Sequence, residues 1–213
     1  VTDKWMLGTR NSFFVGIVAT LLATALGTVA ALGLSRPHMP FKAVLMAILI
    51  SPMIVPLIIT AAGMFFFYSK IGLTHTYLGL ILAHTALGTP FVVITVTATL
   101  TGFDTNLIRA SQSLGADTMR TFFKVIMPLI LPGVISGGLF AFITSFDEVV
   151  IVMFIGSVEQ ITIPKQMWAG LRQETSPVIL CMATCLVALS IALLTTVEML
   201  RRRSERLRGI KQR

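Results

Sequence analysis

The sequence predicts an all-α fold, a polytopic bundle of membrane-spanning helices, on three observations. Only 12% of the residues are charged, 55% are hydrophobic, and mean hydropathy is +0.88, whereas a soluble domain carries about 25% charged residues. Several apolar runs reach the ~20 residues that a helical membrane span needs. Between two of these runs lies a polar, turn-marked stretch, TNLIRASQSLGADTMRTFFKVIMPLILPG at 105–133. Its contrast with the surrounding sequence marks it as a device set between spans.

Five spans are expected. The first covers 12–34, where Gly16, Ala19, Ala23, Gly27 and Ala30 recur at three- and four-residue spacing, a pattern that favours close helix packing. A short basic loop, SRPHMPFK at 35–42, leads to the second span at 43–67. Pro52 and Pro56 kink that span, which is tolerable where neighbours satisfy the freed carbonyls. A polar hinge, Ser69–Thr76, precedes the third span at 77–100, which contains His84 and Pro90. The fourth, 126–156, is too long for one clean crossing, and Pro128 and Pro132 mark a bent start. An amphiphilic loop at 157–177 follows, then the fifth span at 178–199 and a basic tail at 200–213. All 213 residues read as one transmembrane domain.

There are 17 Lys and Arg against 9 Asp and Glu, and seven of the basic residues fall in the last 13 positions, directly after an apolar run. That is a juxtamembrane cytoplasmic tail, drawn to anionic lipid rather than to nucleic acid. With the tail inside, five spans put loop 35–42 and segment 101–125 inside as well. Twelve basic residues are then inside and five outside, as the positive-inside rule requires. Residues 1–12, with Lys4, Trp5 and Arg10, do not form a signal peptide. A chain that begins outside without one is expected to have a sixth helix upstream of Val1. Cys181 and Cys185 sit four apart in an apolar run and read as small packing residues, with no metal site.

Segment 104–125 reads as two short helices. Asp104 or Asn106 caps the first, whose apolar positions are Leu107, Ile108, Ala110 and Leu114. Gly115 suits its left-handed C-terminus. Asp117 caps the second, where Met119, Phe122 and Phe123 form an apolar patch flanked by Arg120 and Lys124. Two uses fit: docking a water-phase partner and passing its motion to the spans, or lying among lipid head groups.

The pattern R-A-S-x-S-L-G-A, followed by a basic amphipathic turn and M-P-L-I-L-P-G, resembles the EAA loop of binding-protein-dependent ABC importer permeases. Asn11-Ser12, the Ala/Gly-rich stretch 23–33, Ala83-His84-Thr85, FAFITSFDEVV at 140–150, Thr162-Ile163-Pro164 and Ser176-Pro177 are most similar to its spermidine/putrescine branch. The resemblance implies that 104–125 is a coupling helix seated in a cleft of an ABC ATPase dimer, with Arg109, Ala110, Ser111, Leu114, Gly115, Asp117 and Arg120 at the contact. It departs from the family at the glutamate position, which is Arg109 here, and at the second alanine, which is Ser111. Also implied are a second permease subunit, in a heterodimer, and a periplasmic or extracellular substrate-binding protein. The expected location is the bacterial inner membrane, multi-pass, with the C-terminus cytoplasmic.

The chain has no G-x-x-x-x-G-K-[ST] phosphate loop, so ATP and magnesium belong to the partner ATPase and this chain carries no cofactor. Neither H-E-x-x-H nor G-x-S-x-G is present, which argues against an intramembrane enzyme.

Phe146, Asp147 and Glu148 are the candidate substrate pathway, because acidic groups at membrane depth are costly and usually functional. Carboxylates beside aromatic faces suit a polyamine. The competing readings are a salt bridge or a helix cap. His84 reads as a packed polar group with Thr85 rather than a proton carrier. Trp168 and Tyr77 fit an interfacial belt, and Trp168 can instead meet a docked binding protein, with Glu159, Lys165, Arg172 and Glu174 as rim charges. The predicted function is ATP-driven import of a small cation by alternating access. Import of an opine, phosphonate, iron or thiamine by the same machinery is the alternative, and an ion-gradient carrier using Asp147, Glu148 and His84 is a further one.

Overall fold

The computed structural model describes residues 2–36, 38–102, 104, 106–173 and 177–207. Among them there is no strand. Four helices are long and apolar enough to cross a membrane: 3–34, 77–101, 118–146 and 177–196. A bent pair, 42–54 with 57–71, makes a fifth if taken as one span.

Helix α1 (Thr2–Leu34) is longer than the predicted span and packs against α4 (Tyr77–Thr101) and α7 (Met127–Phe146). These three form the centre. Small residues set their spacing: a methyl placed on Gly27 would lie 2.7 Å from Cβ of Val92, and one on Gly88 would lie 2.9 Å from Cβ of Ala141. On α7, Gly133 faces the Thr99 hydroxyl and Gly137 faces the Thr95 hydroxyl at closer than normal contact for any side chain. Those hydroxyls donate back along α4, Thr95 Oγ1 to Phe91 O at 2.9 Å and Thr99 Oγ1 to Thr95 O at 2.8 Å. Polar groups at the seam are thereby satisfied without crossing it. The predicted face of α1 is the buried one at Gly16, Ala19, Ala23 and Gly27, and its last buried alanine is Ala31 rather than Ala30.

The second span is not a kinked rod. Helix α2 (Lys42–Ile54) stops, Val55 is extended (ψ 135°), and α3 (Leu57–Ile71) leaves at 104°. Pro56 disfavours the helical region for the residue before it, so the turn falls at Val55. Pro52 does not break α2. It deprives Ile48 O of its helical donor, and the Ser51 hydroxyl donates to that oxygen instead at 2.8 Å. Gly72 (φ 71°) closes α3 in the left-handed region.

The fourth span also divides. Helix α7 ends at Phe146, and α8 (Val150–Ile155) starts after a three-residue break. Loop 157–162 then leads to α9 (Ile163–Gln173), and α10 (Pro177–Leu207) closes the bundle. Helix α10 is the least buried span, exposing Leu180, Val187, Ile191 and Leu194. Cys181 and Cys185 are exposed on it as free thiols. The other exposed apolar side chains, among them Leu21, Val29, Ile48, Ile58 and Phe66, suit a surface that meets lipid.

Candidate functional site

At one end of the bundle, between α4 and α7, lie α5 (Asn106–Ser113), α6 (Thr118–Thr121) and a π-helical turn, Phe122–Ile126. Asp104 Oδ1 accepts from Asn106 N at 2.9 Å, so Asp104 supports the start of α5. Its C-terminus is a Schellman turn: Ala116 N–H donates to Ser111 O at 3.1 Å and Gly115 N–H to Gln112 O at 2.9 Å, with Gly115 at φ 82°. Asp117 caps α6 by accepting from Arg120 N at 2.7 Å. The π turn hands the chain to Pro128, which has no N–H and whose ring would crowd Lys124 O in a regular helix. Met127 N–H reaches Phe122 O instead.

Helix α5 has two faces. Ile108 and Ser111 turn toward the bundle, and Ser111 Oγ lies 3.0 Å from Thr121 Oγ1. Leu107, Ala110 and Leu114 form an adjacent, exposed stripe, spaced by three and four residues, and Leu114 is 89% exposed. Arg109, Gly115, Asp117 and Arg120 are exposed too, and Met119 and Phe123 add apolar surface. Six of the seven predicted contact residues are thus accessible; Ser111 faces inward and braces α5 on α6.

The break at 147–149 collects the second group. Phe146 is buried, edge-on to Phe13 (centroids 5.0 Å apart) and stacked on Phe142 (5.3 Å). Glu148 is buried, and its Oε1 accepts from Ile151 N at 2.9 Å, capping the first turn of α8. Asp147 differs: its side chain is exposed and forms no hydrogen bond or ion pair among the described residues. It closes the C-terminus of α7, the negative end of a helix dipole, where a carboxylate is disfavoured. Phe13 was not singled out from the sequence, where it is one of 14 phenylalanines.

The His84 ring partners with Ser145, Nδ1 to Oγ at 2.7 Å, rather than with Thr85, whose hydroxyl donates to Ile81 O. This pair ties α4 to α7 one residue before Phe146.

Loop 157–162 is stitched to the spans. Asn11 Nδ2 donates to Glu159 O and Ile161 O at 2.7 and 2.8 Å. The Tyr77 hydroxyl lies 3.0 Å from both Asn11 Oδ1 and Glu159 O. Ser12 Oγ accepts from Ile163 N at 2.9 Å. Asn11 and Ser12 lie within α1, which starts at Thr2. Of the predicted rim charges, Glu159 is exposed, while the Arg172 side chain and Glu174 lie outside the described residues. Lys165 turns inward: its ammonium donates to Val152 O, Gly156 O and Ser157 O at 3.1–3.2 Å, closing the C-terminus of α8. Partial burial pulls its pKa below the ordinary lysine value. Lys165→Met should lower the thermal unfolding midpoint of the detergent-solubilised protein by roughly 2–8 °C. Lys165→Arg should restore part of the loss.

The profile of the family described as binding-protein-dependent transport system inner membrane component matches residues 23–206. The chain belongs to this family. The permease is 29% identical over 202 residues to a spermidine/putrescine transport system permease protein of Haemophilus influenzae, covering 95% of this chain and 79% of that one. Against its Escherichia coli K12 counterpart it is 26% identical over 200 residues, covering 94% and 76%. A putrescine transport system permease protein of Escherichia coli K12 is 28% identical over 198 residues, covering 87% of this chain and 68% of that one. In fold, the permease superposes on a chain of the MetNI methionine ABC transporter, solved in inward-facing conformations, with a TM-score of 0.70 at 19% identity, covering 99% and 98%. It is a multi-pass membrane subunit of an ABC importer, not an enzyme, and as such works with an ATPase and a substrate-binding protein.

Proposed function

We propose that this permease imports a small polyamine such as spermidine or putrescine, and that Asp147 receives one of its ammonium groups during passage. The observation that carries the reading is the exposed carboxylate of Asp147 at the α7–α8 break, beside the Phe13–Phe146–Phe142 group. A polyamine needs charge pairing at its amines and apolar contact between them. Phe146, held between two rings, and Glu148, committed to capping α8, position this point, and the exposed ring of Phe13 offers the apolar contact. The relatives named for spermidine and putrescine support the same substrate class.

In this reading the segment 104–125 is cytoplasmic, as is the C-terminus, and the stripe Leu107, Ala110 and Leu114 enters the ATPase with Arg109 and Arg120 beside it. ATP and magnesium are bound by that ATPase. Its closure drives the coupling segments together and rocks the spans outward-open, so that solute passes from the binding protein to the cavity and, after hydrolysis, inward. The partner permease is a different chain.

Asp147→Asn tests the substrate site. Losing one charge-assisted contact should reduce the uptake efficiency for radiolabelled spermidine by roughly 10- to 100-fold, with binding-protein affinity and basal ATPase activity unchanged. Full uptake in Asp147→Asn would overturn the assignment. If the assembled importer ignores spermidine and putrescine but carries another solute, the polyamine reading fails while the importer stands.

A further inference from the structure

A cavity of about 440 Å³ lies between the coupling segment and the ends of α1 and α4. Its walls are apolar: Leu32, Leu100, Ile108, Phe122 and Ile126. Arg36 lines it as well, among polar side chains that include Ser35, Gln112, Thr118 and Thr121. Arg36 is exposed and forms no ion pair among the described residues.

We propose that this cavity binds an anionic phospholipid, one acyl chain against the apolar walls and the head-group phosphate on Arg36. Three observations favour that occupant. The cavity sits beside the ends of α1 and α4, at 34 and 101, and of the turn that leads into α7, at the level where the spans leave the bilayer. Its chemistry is amphiphilic, an apolar interior with a cation on its lining, as a phospholipid requires. Finally, the cavity is flanked by α5 without including its outer stripe: Ile108 and Gln112 line it, with Met119 at its edge, whereas Leu107, Ala110 and Leu114 do not. A protein seated on the outer stripe leaves the cavity to the membrane side. The lipid would wedge the coupling segment against the bundle and set how firmly motion at α5 reaches α1 and α4. That last role rests on the ATPase-docking reading; the binding itself does not.

The test is lipid retention by the full chain. Protein reconstituted in vesicles of equal parts phosphatidylglycerol and phosphatidylcholine is extracted gently and weighed by native mass spectrometry. Wild type should retain phosphatidylglycerol in preference to phosphatidylcholine. Arg36→Gln, an exposed change that leaves the core intact, should cut phosphatidylglycerol retention roughly fivefold. Leu100→Trp, which intrudes on the acyl-chain wall of the cavity, should lower it too, and Lys70→Gln at the opposite end should not. Equal retention of the two lipids by wild type, or undiminished phosphatidylglycerol on Arg36→Gln, overturns the proposal. Because neither readout involves ATP or solute, its failure is separable from that of the docking reading.

Discussion

Gly137→Leu should remove most of the folded protein from the membrane. The position faces α4 with no room for a Cβ: the Thr95 hydroxyl is closer than normal contact, and Val92 Cα would lie at 2.7 Å. The second obstacle is backbone, so no rotamer change relieves it. Relief requires α7 to move off α4, which also opens the neighbouring Gly133–Thr99 and Gly88–Ala141 approaches. Overpacking of this kind costs about 1–3 kcal/mol, a roughly 5- to 150-fold shift in the folded-to-unfolded ratio. The measurement is the yield of monodisperse protein by fluorescence-detected size exclusion. Gly63→Leu is the matched control, since a Cβ at Gly63 on exposed α3 meets nothing within 4 Å. Equal yields from the two variants would sink the close-packed α4–α7 seam.

Gly115→Val should leave the bundle folded and disconnect ATP hydrolysis from transport. Gly115 adopts φ 82° with nothing within 4 Å of a would-be Cβ, so space is not its reason for being glycine. The constraint is the left-handed backbone, which costs an ordinary residue roughly 1–2 kcal/mol and a β-branched one more. The Schellman bonds of Gly115 and Ala116 then compete with that strain, and the angle between α5 and α6 changes. In the reconstituted importer, solute moved per ATP should fall by roughly tenfold while the thermal midpoint shifts little. Unchanged coupling in Gly115→Val would count against 104–125 as the transmission element. Gly115→Asn, which tolerates the left-handed region, should retain most of the coupling.

The hydrophobic periodicity made much of this fold legible. The apolar runs place α1, α4 and α10, and the small residues of α1 name its buried face, because packing in a membrane is written in residue size. The turn chemistry at Gly115 and Asp117 was equally readable, since each satisfies a local backbone demand. What escaped was decided by context. Pro52 and Pro56 look alike in the sequence, yet only Pro56 breaks the helix, because Ser51 can repair the bond lost at Pro52. The 126–156 run carries no Gly or Pro at 147–149, so its division into α7 and α8 follows from Glu148 turning to cap a new helix. The π turn has no sequence signature beyond Pro128.

The candidate solute site was legible only as an oddity, two adjacent acids in an apolar run. Their roles separate by backbone position: Glu148 is spent on α8, and Asp147 is not. Neither the aromatic neighbour Phe13, 133 positions before Phe146, nor the inward turn of Lys165 can be inferred from spacing, because both depend on how distant segments meet.

Helix α8 is pinned at both ends by charges of opposite sign, Glu148 at its start and Lys165 at its end. Its flanks rest on α3 and α4, and the loop behind it is moored to α1 and α4 through Asn11, Ser12 and Tyr77. It is thus an anchored block, while α7 continues in the opposite direction into the coupling segment. A tilt of α7 driven from α5 would reach α8 through the three non-helical residues 147–149. The residue exposed at that joint is Asp147. A carboxylate mounted on the joint, rather than on either arm, would turn its face as the arms change angle.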